Sequence, residues 1–206
     1  PIMGWTPDCK YPVVYAERGR STYRVSTDIE NKTIFNQFIN EYILSDNGFG
    51  NKLGLNIEDL EFGKMQMNNK KLVDLEGKLG FDFSFSYPAS VCNDTIEKVI
   101  KSKLSEELQV KCIHNYDPVY FDKNGFLCQT LKATYEKVTG MDGTPVTTTG
   151  GTYAKIMPNI VPFGPSFPGQ KGIGHNPNEW MDRSDLILNA KIYALSIVRL
   201  ANGEND

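Results

Sequence analysis

The chain has 206 residues, with 22 Lys and Arg against 25 Asp and Glu, a net charge of −3, and 40% apolar residues. At 23% charged and 11% aromatic it is not a disordered acidic or basic tail, and mild acidity without a Lys/Arg run excludes a phosphate-backbone partner. No stretch approaches the roughly 18 to 20 consecutive apolar residues of a membrane span, so neither a nucleic acid nor a membrane is expected as partner.

The length suits one large domain or two small ones. His114 and His175 are the two histidines, and cysteines 9, 92, 112 and 128 form no C-x-x-C pair. That spacing argues against a zinc ribbon or redox dithiol, and the density against a secreted disulfide scaffold, so a cytoplasmic setting is expected. The start, Pro1-Ile2-Met3-Gly4-Trp5, reads as neither a signal peptide nor a normal initiator but as the middle of something.

In chain order, Tyr11 to Tyr15 and Thr22-Tyr23-Arg24-Val25 read as strands with a break at Gly19. Ile34, Phe35, Phe38, Ile39, Tyr42 and Ile43 form a broad helical stripe, closed by Asp46-Asn47-Gly48. Residues 62–69 and 78–87 read as a hairpin, Leu79, Phe81, Phe83 and Phe85 alternating with Gly80, Asp82, Ser84 and Ser86. Asp94-x-x-Glu97 resembles a capping box ahead of a helix carrying Ile96, Val99, Ile100 and Leu104. Leu108, Val110 and Cys112 alternate as another strand. The stretch 20–114 therefore reads β-α-β-β-α-β, the order of a ferredoxin-like sandwich.

After Pro118 a helix carries Leu127, Leu131, Tyr135 and Val138 and stops at Gly140. A strand from Val146 to Thr149 runs into Gly150-Gly151-Thr152, and a second strand spans Ile160 to Phe163. A Gly/Pro-rich loop, 164–178, precedes a last helix after Asp182, with Leu186, Ala190, Tyr193, Ile197 and Ala201 as its stripe. Strands alternating with helices suggest an α/β piece with a parallel component.

Four features could carry chemistry, and each has a plainer reading. Asp8, just before a strand, either points at a cleft or makes a turn beside Pro7. Gly150-Gly151-Thr152-Tyr153 either offers backbone N–H groups to an anion or is a tight turn with Thr152 as N-cap; it is not a P-loop. His175 and Glu179 are four apart, but Pro177 removes the helix that would align them, and a loop histidine is more often a surface residue. Cys112 and His114, on one strand face by alternation, lack an Asp or Asn partner and read as core and structural residues.

Three blocks, in order, carry a resemblance: Gly4-Trp5-Thr6-Pro7-Asp8 through Tyr11-Pro12-Val13 to Glu17-Arg18-Gly19; Tyr135-Glu136-x-x-Thr139-Gly140 followed by Gly150-Gly151-Thr152-Tyr153-Ala154-Lys155; and Phe163-Gly164-Pro165 through Phe167-Pro168-Gly169 to His175-x-x-Asn178-Glu179, with Asp185-Leu186 before the last helix. Together they resemble the di-zinc aminoacylase/carboxypeptidase/carnosinase type of metallopeptidase, in its bacterial Xaa-His dipeptidase branch. The resemblance implies a ferredoxin-like lid inserted into an α/β catalytic domain that holds two zinc ions. It assigns residues 1–19 to the catalytic domain, 20–118 to an incomplete lid and 119–206 to the C-terminal part of the catalytic domain. Asp8 is then a terminal ligand to one zinc and His175 to the other, Gly150, Gly151 and Thr152 line the substrate site, and Lys155 lies near the substrate carboxylate. Zinc-bound water would attack the carbonyl of a short peptide.

The family's other metal ligands and its paired glutamates would lie before Pro1. The lid histidine of the first half has no counterpart, because Val25 runs almost directly into the helix at Asn31. Ser86 stands where the family has arginine. The chain alone is thus expected to be inactive, a part of a dipeptidase able to form a homodimer through its lid. The alternative is a non-catalytic lid, dimerisation or ligand-binding module.

Overall fold

The computed structural model describes residues 2–170, 174 and 176–204. In chain order the elements are β1 (Gly4–Thr6), β2 (Cys9–Lys10), β3 (Val14–Glu17), β4 (Gly19–Asp28), α1 (Lys32–Phe38), β5 (Glu58–Asp59), β6 (Gly63–Lys64), β7 (Gln66–Leu75) and β8 (Lys78–Tyr87). Then follow α2 (Asn93–Lys101), β9 (Gln109–Tyr116), β10 (Val119–Tyr120), α3 (Phe126–Thr139), β11 (Val146–Thr148), β12 (Ile160–Pro162), β13 (Pro165–Ser166) and α4 (Arg183–Asn202). They divide into two units, Arg18–Pro118, and Pro1–Glu17 with Val119–Asp206.

In the unit Arg18–Pro118, an antiparallel sheet runs β7-β8-β4-β9. With α1 and α2 as its two helical connections this is the ferredoxin-like β-α-β-β-α-β order. Alternation decides the faces. Tyr23 and Val25 of β4 pair with Phe83 and Phe81 of β8, and these join Phe85, Phe35, Phe38, Ile43, Ile96 and Ile100 in one buried cluster. The intervening Thr22, Arg24, Asp82 and Ser84 take the opposite face, where Arg24 donates to both carboxylate oxygens of Asp82 at 2.7 and 2.9 Å.

The helical stripe at 34–43 belongs to α1 and a π-helical continuation, Ile39–Leu44. Asp46 fixes its exit, accepting the backbone N–H groups of Gly48, Phe49 and Gly50 on one oxygen and of Lys52 on the other, all at 2.8–2.9 Å.

Three local expectations change. The first hairpin strand is Gln66–Leu75, not 62–69, and turns at Glu76-Gly77, Gly77 taking φ +69°. It is an edge strand with only Met67 buried, so the stretch Asn68 to Asp74 carries no clear alternation to read. The Asp94 capping box does not form: Cys92 occupies the N-cap without a side-chain cap, and Asp94 already lies inside the first turn. The neighbouring Asn93 side chain accepts the Tyr23 hydroxyl at 2.7 Å instead. Finally, Cys112 and His114 do not share a face. Thr22 pairs with His114 and Tyr23 with Cys112, so Ile113 is one extra residue in β9. Such a bulge reverses the alternation. Cys112 packs against the core, and His114 comes to the polar face beside Thr22.

In the other unit the pairings β1 with β12, β2 with β13 and β3 with β11 are parallel, and β10 adds antiparallel to β3. Helix α3 ends at Gly140, at φ +70°, the left-handed cap glycine supplies most readily. Helix α4 starts after Asp182, but its buried stripe is not the predicted one. Asn189, Ile192, Ser196 and Arg199 are buried, while Leu186 and Ile197 are each 60% exposed. Two of its polar groups are tolerated inside because they are bonded, while the Ser196 hydroxyl has no partner among the described residues. Asn189 accepts the Tyr11 hydroxyl at 2.6 Å and donates to the Pro165 carbonyl, and Arg199 donates to Thr134 Oγ1.

Candidate functional site

The candidate residues of the unit formed by the two chain ends converge on the segment between β1 and β2. Tyr11 anchors it. Its ring stacks on Tyr135 at 5.0 Å between centroids and meets Phe163 and Phe167 at 4.8 Å. Burial pushes the Tyr11 hydroxyl far above its ordinary pKa, a hydrogen bond with Tyr193 adding to the effect, so it acts as a neutral donor to Asn189. Gly164 closes the same corner. A Cβ there would come within 2.6 Å of the Tyr11 and Tyr193 side chains, and its φ is +73°, so a side chain is excluded by both space and backbone. The backbone bonds Cys9 N–H to the Gly164 carbonyl (2.7 Å) and Gly164 N–H to the Lys10 carbonyl (3.0 Å) complete the corner.

On this frame Asp8 is exposed. One carboxylate oxygen accepts the Tyr153 N–H at 3.4 Å, a long bond that leaves the rest of the carboxylate to solvent. Tyr153 belongs to the turn Tyr153–Lys155, capped by Thr152, whose hydroxyl accepts the Ala154 N–H.

Beneath the turn lies a residue that sequence reasoning did not single out for chemistry. Glu17, the last residue of β3, is fully buried; one oxygen accepts the Thr152 N–H at 3.3 Å and faces the Lys155 ammonium at 3.9 Å. Its other oxygen has no hydrogen-bond partner among the described residues. The available signal was a lone carboxylate ending the apolar run Val13-Val14-Tyr15-Ala16, since a buried charge needs a partner.

Three N–H groups of the segment are therefore taken by side-chain oxygens of the chain itself. Gly150 N–H donates to Thr148 Oγ1, Thr152 N–H to Glu17 and Tyr153 N–H to Asp8. Gly151 lets the Lys155 side chain pass closely, since a Cβ there would sit 3.0 Å from Lys155 Cε. Cys9, next to Asp8, is no nucleophile: burial pushes its thiol pKa up, against the lowering effect of a hydrogen bond to Thr148.

The structure thus brings Asp8, Thr152 and the Gly150–Lys155 turn together. His175 lies outside the described residues. Glu179, its i+4 neighbour, is exposed. Among the described residues no group of three or more His, Cys, Asp or Glu side chains could hold a metal ion.

The family model described as peptidase family M20/M25/M40 matches residues 10–199. A Beta-Ala-Xaa dipeptidase of Lactobacillus delbrueckii subsp. lactis is 33% identical over 158 residues, covering 76% of this chain and 33% of that protein. The chain spans about a third of the length of the curated relatives it matches. In fold it is similar to the di-peptidase Dug1p from Saccharomyces cerevisiae (TM-score 0.61, 13% identity, 95% of this chain and 57% of that one). It is also similar to human carnosine dipeptidase 1 (TM-score 0.58, 13% identity, 96% and 58%).

Proposed function

The chain belongs to peptidase family M20/M25/M40, and from that premise we propose that it forms part of a zinc-dependent dipeptidase acting on short peptides of the Xaa-His type. The observation that carries this reading is the family match over residues 10–199. The 33% identity to a Beta-Ala-Xaa dipeptidase supports a dipeptide as substrate. In this reading Arg18–Pro118 is the lid, and the unit formed by the two chain ends is part of the catalytic domain.

Asp8 and His175 are the proposed metal ligands, one to each ion. The described residues do not fit a two-metal centre by themselves, because holding two cations close takes about three or four protein ligands per metal. What fits is one terminal ligand, the exposed carboxylate of Asp8, oriented by the Tyr153 N–H. Gly150, Gly151, Thr152 and Lys155 are proposed to line the substrate site. Their support is the Glu17-anchored turn, in which Thr152 and Lys155 meet Glu17 and the intervening Tyr153 N–H reaches Asp8.

A cytoplasmic setting is proposed on the four free thiols; among the described residues no helix is long and apolar enough to cross a membrane. A homodimer through the lid is proposed on its open edge, strand β7, where Leu72 is 77% exposed. A chain that sediments as a monomer over a wide concentration range overturns the dimer.

Activity is tested in two arms. The 206-residue chain, given zinc and β-alanyl-histidine, is expected to show no turnover above buffer, and turnover there refutes the reading that it is only a part. A longer polypeptide of the length of the relatives is expected to hydrolyse the dipeptide and to lose bound zinc and turnover on Asp8→Ala. Undiminished zinc and turnover in that variant refute the role of Asp8.

A further inference from the structure

Helix α4 is 20 residues long and is apolar on the side that faces away from its own unit. At about 100° per residue, Leu186, Ile187, Ala190, Ala194, Ile197 and Val198 fall within one arc of roughly 120°. All six are exposed. Lys191 lies at the border of that arc, and Arg199 lies on the opposite, buried side. The arc runs for about 18 Å along the helix axis. The stripe that patterning predicts as core is thus the outward one. The buried side, with Asn189, Ile192, Ser196 and Arg199, packs on the rest of the unit. Helix α4 therefore has two faces fit to be covered, and its own unit covers one.

Three observations bear on what covers the other. The first is breadth. A seam between two helices needs only a narrow stripe, whereas an arc this wide is the kind that faces the core of a globular domain. Ala190 and Ala194 in its middle leave the surface low enough for a broad layer to approach. The second is the state of the sheet. Parallel strands belong to sheets covered on both faces, yet among the described residues this unit offers them only in pieces of two and three strands. None of these is a surface on which a 20-residue helix could lay a second face. The third is length. The family match runs through most of α4, to residue 199, while the chain spans about a third of the curated relatives. The relatives therefore carry the counterpart of α4 together with a greater length of chain beyond the match. Exposed apolar patches of this kind mark a surface that meets another one.

We propose that the outward face of α4 is an internal packing face, covered in a polypeptide of the relatives' length by a further layer of the catalytic domain made from residues outside these 206. The inference rests on the reading of the chain as part of a dipeptidase. It is tested with Ala194→Cys, a small change at an exposed position, made in the 206-residue chain and in the longer polypeptide. Maleimide labelling at residue 194 is read by peptide mass spectrometry and compared with the same protein in denaturant. The 206-residue chain is expected to label near its denatured rate. The longer polypeptide should label at least about a hundredfold more slowly, since a covered thiol reacts only on local opening. Full-rate labelling in both overturns the proposal. Slow labelling of the 206-residue chain at high dilution also overturns it, because its own unit then covers the face. Protection of that chain that grows with concentration assigns the face to a second copy and overturns it too. As a second variant, Ile197→Asp should leave the unfolding of the 206-residue chain unchanged and lower the thermal midpoint of the longer polypeptide. An unchanged midpoint there, or an equal loss in both, overturns the proposal. Neither readout needs zinc or turnover. A longer polypeptide that hydrolyses β-alanyl-histidine but labels at full rate sinks this inference alone, and one that is protected but inactive sinks the dipeptidase reading alone.

Discussion

Helices α2 and α4 solve the same problem in opposite ways. In Arg18–Pro118, α2 buries its apolar stripe, Ile96 and Ile100, beneath an aromatic sheet. In the unit formed by the chain ends, α4 buries Asn189, Ser196 and Arg199 and leaves Leu186, Ile187, Ile197 and Val198 exposed. The first unit is held mainly by apolar burial, which is non-directional and proportional to area. The second relies on a ring cluster around Tyr11 and on the bonded polar groups of Asn189 and Arg199, each of which fixes a geometry more than it adds net stability.

The hardest blow to the aromatic unit is Phe83→Ala, which removes a fully buried ring and should cost about 3–5 kcal/mol, read by hydrogen exchange of β8 amides. A cost below about 1 kcal/mol would show that the sheet core is not what holds that unit. In the other unit the counterpart is Glu17→Ala, which strips the Lys155 ammonium of a carboxylate at a nearly dry site and should cost about 3 kcal/mol. Both tryptophans, Trp5 and Trp180, lie in that unit, so their fluorescence reports it selectively.

Asp46 gives a smaller effect with a pH signature. Burial tends to raise its pKa, but the four backbone N–H groups it accepts outweigh that and hold it below the ordinary 3.8. A carboxylate depressed in the folded state contributes stability above its unfolded pKa and loses it as pH falls through the folded one. Denaturation midpoints of Arg18–Pro118 should therefore fall as pH drops below 3.8, and Asp46→Asn should flatten that dependence while costing about 1–2 kcal/mol near neutrality. The smallest effect sharpens the contrast of the helices. Leu186→Ser with Ile197→Ser should change the stability of the 206-residue chain by less than about 0.5 kcal/mol per site and raise its solubility, whereas Ile100→Ala in α2 should cost about 2–5 kcal/mol.

Much of the ferredoxin-like unit was legible because strand alternation and helical stripes agree there with the burial they imply. β8 is the clearest case, its Phe81, Phe83 and Phe85 lying in one apolar cluster. Reading failed where alternation is interrupted or absent. One extra residue at Ile113 moved His114 to the polar face, and the edge position of β7 erased its pattern. The candidate site was legible in part: Asp8 and the Gly150–Lys155 segment stand out as motifs. Glu17 stands in the first block of motifs, but its role is not legible there, because it comes from a turn that lies 135 residues further along the chain.

The sequence by itself determined the helices, the aromatic sheet core and the motifs that mark the family, because periodicity and turn chemistry are local and each residue's preference can be read beside its neighbours. Only the tertiary structure decided which face of α4 is buried, that Glu17 props the turn beside Asp8, and that one extra residue at Ile113 turns His114 to the polar face. Each of these depends on which distant strand or turn a residue meets, and long-range pairing is fixed by the packing of the whole unit rather than by any short stretch of chain.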